Sequence, residues 1–219
     1  MVGMTPETPE PKTETTRLLQ LAARGDRQAW GELLEHHRDR LRRMINARLD
    51  CRLHGRLDPS DVIQEAYLEA SRRLDEYAQQ PTMPFALWLR FLTGQRLLEL
   101  HRHHLGTQGR DAAREVSLFA GPMLEASSAV LAAQLLGNLT TPSDAAIRAE
   151  RRQWLQDALD QMDPLDREVL VLRHFEQLSN GEAAQVLGLD KSAASKRYAR
   201  ALVRLKDILA SLPGGLNEV

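Results

Sequence analysis

The chain has 219 residues, 29 Lys and Arg against 30 Asp and Glu, and a formal net charge of −1. That balance excludes a protein that coats nucleic acid through bulk charge, so any basic surface has to be local, with acidic surface elsewhere for a different partner. A single cysteine, Cys51, excludes an internal disulfide, and the absence of a long apolar run or a signal-peptide pattern predicts a soluble, cytoplasmic protein.

Aromatic residues are scarce and Leu, Ala and Arg are frequent, which favours an all-α fold. Residues 1–14 are rich in Pro, Thr and Glu and read as a loose tail. Helical periodicity begins at Arg17. After a turn at Gly25-Asp26, the residues Trp30, Leu33, Leu34, His37, Leu41, Met44 and Ile45 trace one apolar face. Residues 50–57 form an irregular connection ending in Asp58-Pro59, a helix start with proline at its first position. The helix it opens buries Val62, Ile63, Ala66, Tyr67, Ala70 and Leu74. A loop holding two prolines follows, from Tyr77 to Pro84. Phe85 to Leu105 is then a long apolar helix that turns polar on one side near its end. Together these elements make a first helical domain over residues 15–105.

Periodicity weakens over 106–142, a linker with a short helix near Ser128–Leu136. A second domain spans 143–212, and residues 213–219 are a tail. Its first helix presents Ile147, Trp154, Leu155, Ala158, Leu159 and Met162. Asp163-Pro164 starts the next, with Asp166 in its first turn and Val169, Leu170 and Leu172 inside. Ser179 then stands three residues before Glu182, a capping box. Gly188 suits a left-handed helix end, Leu189 plugs the angle, and Asp190 can cap the following helix. In that last helix Ala194, Tyr198, Ala201 and Leu205 face inward. Ser192, Lys196, Ala199 and Arg200 lie opposite, with Arg197 and Arg204 on the flank. Two short helices around a tight turn, the second one basic, form a helix-turn-helix, whose usual use is to place one helix in the major groove of DNA.

With both halves laid out, the chain resembles a bacterial RNA polymerase sigma factor of the extracytoplasmic-function type. The resemblance rests on Ala23-Arg-Gly-Asp-Arg-Gln-Ala-Trp30, Asp61-Val-Ile-Gln-Glu-Ala-Tyr-Leu68, Phe85-Ala-Leu-Trp-Leu89, Leu165-Asp-Arg-Glu-Val-Leu170 and the stretch Ser179 through Leu205. It covers residues 17–105 and 143–210. The run from His104 to Leu118 is similar to the linker of a planctomycete-type subgroup.

The resemblance implies a region-two-like domain that docks on the polymerase clamp helices through Asp61, Gln64 and Glu65. It also implies that Gln79, Gln80, Gln95, Arg96, Glu99, Arg102 and His103 meet the minus-ten element as it melts. The second half is then the region-four-like domain, reading the minus-thirty-five element through Lys191, Ser192, Ala193, Ser195, Lys196, Arg197 and Arg200. Many family members have Thr-Val-Lys-Ser-Arg where this chain has Ala193-Ala-Ser-Lys-Arg197, so their promoter preference does not transfer. Gly94, in mid-helix, is a departure from commoner members and suggests a kink or close contact. The implied partners are core RNA polymerase, promoter DNA and, as a candidate, an anti-sigma factor.

Other chemistry has little support. Glu99, His101, His103 and His104 lack metal-site geometry, because on a helix His103 points away from His101 and His104. Cys51 beside His54 is not a credible dyad, and no Walker-type loop or nucleophile motif is present. The expectation is therefore a non-enzyme with no cofactor and no metal. Trp88, among apolar neighbours, reads as core rather than as a base-stacking residue. A conventional helix-turn-helix regulator would account for the C-terminal half but not for Asp61–Leu68 or the order of the two halves.

Overall fold

The computed structural model describes residues 11–53, 55–105, 127–137 and 145–211. Nine α-helices follow one another among them, with no strand: α1 (Pro11–Ala22), α2 (Arg27–Arg48), α3 (Pro59–Gln79), α4 (Phe85–Leu105), α5 (Ser128–Gly137), α6 (Ala145–Asp160), α7 (Pro164–Leu170), α8 (Asn180–Leu187) and α9 (Lys191–Ala210). A five-residue π-helical turn, Val171–Phe175, continues α7.

Local chemistry sets most of these boundaries. The Asp26 carboxylate accepts the Gln28 and Ala29 amides at 2.9 and 3.0 Å and starts α2. Asp58 and Asp163 do the same for α3 and α7, each with a proline in the first turn, where a missing N–H costs nothing. α1 begins at Pro11, inside the stretch that reads as a loose tail. Proline suits a first helical position, Glu14 pairs with Arg17 at 2.6 Å, and Leu18 is buried, so the segment is anchored despite its polar composition. α3 runs on to Gln79 rather than ending at Tyr77, because the Tyr77 ring is buried and its hydroxyl donates to the Met83 carbonyl at 2.8 Å.

Helices α1 to α4 enclose one core, built on Leu18, Leu33, Leu41, Ile45, Ile63, Leu89 and Leu97. Trp88 belongs to it, stacked on Tyr77 with ring centroids 4.4 Å apart. α4 continues unbroken through the buried Gly94, and the Thr93 hydroxyl donates to the Leu89 carbonyl at 2.8 Å. A second core joins α5 to α9 through Leu131, Leu155, Leu159, Val169, Leu172, Ala201 and Ile208. α5, within the stretch read as a linker, packs on α6. Ile147, expected on the inner face of α6, is 46% exposed, a correction that follows from its place in the first turn of the helix. Ala47 of α2 and Leu87 of α4 enter the second core, so the two halves of the molecule are in contact. The linker resemblance at 104–118 lies almost wholly outside the described residues.

Candidate nucleic-acid and partner interfaces

The last two helices, α8 and α9, are set by local caps. Ser179 accepts the Glu182 amide at 3.2 Å while the Glu182 carboxylate accepts the Ser179 amide at 2.7 Å, closing the capping box that begins α8. Gly188 ends α8 at φ 64°, a left-handed conformation that costs most residues about 1–2 kcal/mol. Asp190 then accepts the Ala193 amide at 2.8 Å and starts α9. Asn180, which the sequence does not single out, fastens the two helices: its side-chain amide donates to the Lys191 carbonyl at 2.9 Å and to the Ser195 hydroxyl at 2.8 Å.

On α9, Lys191, Ser192, Ser195, Lys196 and Arg200 are exposed and Ala193 is half-buried, so the expected recognition face is open. Arg197 differs. Its guanidinium spans Asp163 at 3.1 Å and Asp166 at 2.6 Å, tying α9 to the start of α7. Its charge is therefore already matched within the protein.

A second face is on α3. Asp61, Gln64 and Glu65 fall on one side of the helix, and so does Leu68, since steps of three and four residues return to the same face. Leu68 is 60% exposed. The sequence places it in the motif without giving it a role; an exposed leucine among acidic and amide groups is the kind of apolar group that interfaces gather at their centre.

The third face is the last half of α4. Arg102, His103 and Glu99 are exposed, and Gln95 and Arg96 are half-buried. At 100° per residue these five span about 120° of the helix surface, so they form one stripe. Gln79 and Gln80 are exposed at the end of α3. His101 turns inward instead: it is 8% exposed, its Nε2 accepts the Asp50 amide at 3.5 Å, and burial holds its pKa below the ordinary histidine value. The α3 and α4 faces are joined by an ion pair the sequence does not reveal. Arg96 meets Glu65 of α3 and, at 2.9 Å, Glu99 on its own helix.

Comparison with known proteins places the chain in a family. The sequence pattern described as "ECF sigma factor" matches residues 12–119, and that of "Sigma-70, region 4" matches residues 152–205. The ECF RNA polymerase sigma factor SigD of Mycobacterium tuberculosis is 30% identical over 186 residues, covering 85% of this chain and 79% of SigD. The RNA polymerase sigma factor NccH of Alcaligenes xylosoxydans xylosoxydans is 27% identical over 197 residues, covering 89% and 94%. In three dimensions, the structure of CnrH in complex with the cytosolic domain of CnrY shares the fold at 24% identity and a TM-score of 0.52, covering 90% of this chain and 98% of that one. No helix among the described residues is long and apolar enough to cross a membrane. Two family patterns in this order, with relatives matched along most of both chains, establish that the chain belongs to the extracytoplasmic-function sigma factor family.

Proposed function

We propose that the three exposed faces divide the work of a sigma factor, the subunit that directs core RNA polymerase to specific promoters and assists melting of the DNA. In this reading residues 15–105 form the polymerase-docking and minus-ten domain, 143–212 the minus-thirty-five domain, and 106–142 the connection between them. Asp61, Gln64, Glu65 and Leu68 dock on the polymerase. Acidic groups around an apolar centre suit a basic helical partner, with charge giving orientation and rate, and leucine burial giving affinity. The α4 stripe with Gln79 and Gln80 meets the minus-ten strand, where amides and guanidinium groups can hold unstacked bases and backbone. Lys191, Ser192, Ala193, Ser195, Lys196 and Arg200 read the major groove of the minus-thirty-five element; each lysine or arginine on a phosphate adds to the salt dependence of binding. Arg197 acts beside them by fixing α9 against α7. The chain works in the cytoplasm, performs no catalysis itself and uses no cofactor. An anti-sigma factor is a candidate partner.

The observation that carries this reading is the coexistence of an open, basic helix-turn-helix face with the exposed Asp61–Leu68 face in one chain. The test is transcription from purified components with cognate core polymerase and a genomic promoter library. The wild type forms a complex and produces new, sequence-specific start sites. Asp61→Lys with Glu65→Lys lowers polymerase affinity at least tenfold with helicity retained. Unchanged affinity in the folded double variant rejects the docking assignment, and duplex binding with no polymerase complex rejects the sigma reading.

A further inference from the structure

The start of α9 is held by one side chain of α8, and that side chain fixes the chemistry of a neighbour. The Asn180 amide nitrogen lies 2.9 Å from the Lys191 carbonyl and 2.8 Å from the Ser195 hydroxyl oxygen. A backbone carbonyl only accepts, so the end of Asn180 that faces it is the NH2 group. That group has two hydrogens to give and accepts none. One hydrogen goes to Lys191 and the other to Ser195, so the Ser195 oxygen is the acceptor in its bond. A hydroxyl carries one hydrogen and two lone pairs. Asn180 occupies a lone pair, and the hydrogen of Ser195 is left to be donated elsewhere.

Serine and threonine in helices commonly turn that hydrogen back to the carbonyl four residues earlier. Two do so in this protein: Thr93 donates to Leu89 at 2.8 Å, and Ser211, which caps the end of α9, donates to Asp207 at 2.7 Å. For Ser195 the carbonyl four back is that of Lys191. Its two lone pairs are already used, one by the helical amide of Ser195 and one by Asn180. Among the described residues the Ser195 hydroxyl donates to no protein group. Ser195 is exposed, on the open face that also carries Lys191, Ser192 and Lys196. Its hydrogen is therefore offered to whatever lies against that face. Accepting from Asn180 also strengthens it as a donor, because hydrogen bonds in a chain polarise one another.

α9 is tied on other sides as well. Arg197 pairs with Asp163 at 3.1 Å and Asp166 at 2.6 Å, and the Tyr198 hydroxyl lies 2.9 Å from Nε2 of His174. With Asn180, these ties set the rotation of α9 about its axis, so the Ser195 donor meets a duplex in one orientation. The edges it can meet in the major groove differ in kind. Guanine offers N7 and O6 as acceptors, adenine N7 and thymine O4, whereas cytosine offers only the N4 donor. A fixed donor separates cytosine from the other three bases.

Taking the sigma reading as its basis, we infer that Ser195 is a specificity-determining residue that rejects cytosine at the base it meets in the minus-thirty-five element, and that Asn180 is the positioning residue that makes it a donor. Asn180 needs no contact with DNA for this. It decides which hydrogen-bonding group Ser195 shows, so its loss changes base preference at one position rather than affinity for every sequence. The sense of the effect is reversible. In Asn180→Asp the carboxylate only accepts; it takes the Ser195 hydrogen and leaves lone pairs facing out, which suit cytosine N4. In Asn180→Ala the Lys191 carbonyl regains a free lone pair, and the Ser195 hydrogen turns back to it.

The experiment uses holoenzyme assembled from the full chain and cognate core polymerase, on promoters with a randomised minus-thirty-five element at one salt concentration. Sequencing the transcripts gives the preference among four bases at each position. Wild type is expected to disfavour cytosine about threefold to tenfold at one position, the range for a single hydrogen bond. Ser195→Ala and Asn180→Ala are each expected to bring that preference below about twofold with other positions unchanged, and Asn180→Asp to turn it toward cytosine. A wild type that accepts cytosine equally everywhere overturns the inference. So does an Asn180→Ala protein that initiates less on all sequences alike while keeping the wild-type preference, since Asn180 is then a clamp and nothing more. Ser195→Ala alters only an exposed side chain. If it leaves every base preference as in wild type, the inference is overturned even where the Asn180 variants fail to fold. A wild-type consensus that no variant alters removes this inference and leaves the sigma reading standing. If wild type gives no sequence-specific initiation with cognate polymerase, the sigma reading fails and the inference, which rests on it, falls too.

Discussion

His37 lies against Phe85 with ring centroids 5.4 Å apart, and its Nε2 is buried without a hydrogen-bond partner. Burial first, then the nearby Arg40 and His36 charges, bring its pKa down to about 4 from 6.5. The unfolded chain therefore takes up a proton below pH 6.5 that the folded chain refuses until about pH 4, so stability is full above 6.5 and falls as the pH drops through that window. The loss attributable to His37 reaches about 3 kcal/mol at pH 4, at 1.36 kcal/mol per unit. His101 and His174, also depressed by burial, act in the same direction. Glu176 and Glu182 act that way only from their ordinary value of 4.5 downward. Urea unfolding at pH 7 and pH 4.5 is expected to show His37→Leu losing clearly less stability than wild type; an identical loss in both rejects the assignment. Arg197 shows what residue type and position leave out. Both suggest a DNA contact, and the structure adds that its half-buried guanidinium also pairs with two aspartates 31 and 34 residues away.

Short-range chemistry governs the elements. Ser179 and Glu182 satisfy each other's amides, and losing the serine oxygen leaves the Glu182 amide unpaired at the start of α8. Ser179→Ala is expected to cost about 1 kcal/mol of stability, and Ser179→Asp to keep most of it. Equal losses in the two variants, measured by chemical denaturation, would exclude the cap as the cause. This dependence on neighbours explains what could be read from the chain. Asp58-Pro59, Asp163-Pro164, Ser179-Glu182, Gly188 and Asp190 act over four residues or fewer, and each marks an element boundary in the structure. The periodicity of the first and last domains fixed which helix faces are exposed, and so the positions of Asp61, Gln64, Lys196 and Arg200. The π-helical turn had no such signal, because its sequence Val171-Leu-Arg-His-Phe175 is ordinary helix material. The Glu65–Arg96 bridge spans 31 residues and the Arg90–Glu176 fork spans 86. Partnerships of that reach depend on how helices pack, which no local pattern encodes.

In the proposed reading, separation of the two halves on a promoter is limited by the chain that joins them. α5 packs on α6, so the length available for separation runs from Leu105 to Ser127. Those 22 steps extend to about 70 Å at most, at 3.3 Å each. Added to the reach of α4 and α9 themselves, that suffices for elements about 85 Å apart, with little to spare. Removing ten residues between 108 and 124 leaves about 40 Å, too short to place both domains on the promoter. Adding ten flexible residues costs little, since loop entropy changes by only about 0.6 kcal/mol per doubling of length. The two changes therefore diverge. The shortened protein is expected to bind core polymerase through its α3 face at near wild-type affinity but to initiate at least tenfold less on promoters needing both elements. The lengthened protein is expected to initiate within about twofold to threefold of wild type, because effective concentration at the second element falls only as a modest power of tether length. Initiation measured on one promoter at saturating polymerase separates these outcomes. Wild-type activity in the shortened protein means the connection is not the element that sets the reach, and parallel losses in both mean that the connection contributes contacts of its own rather than length.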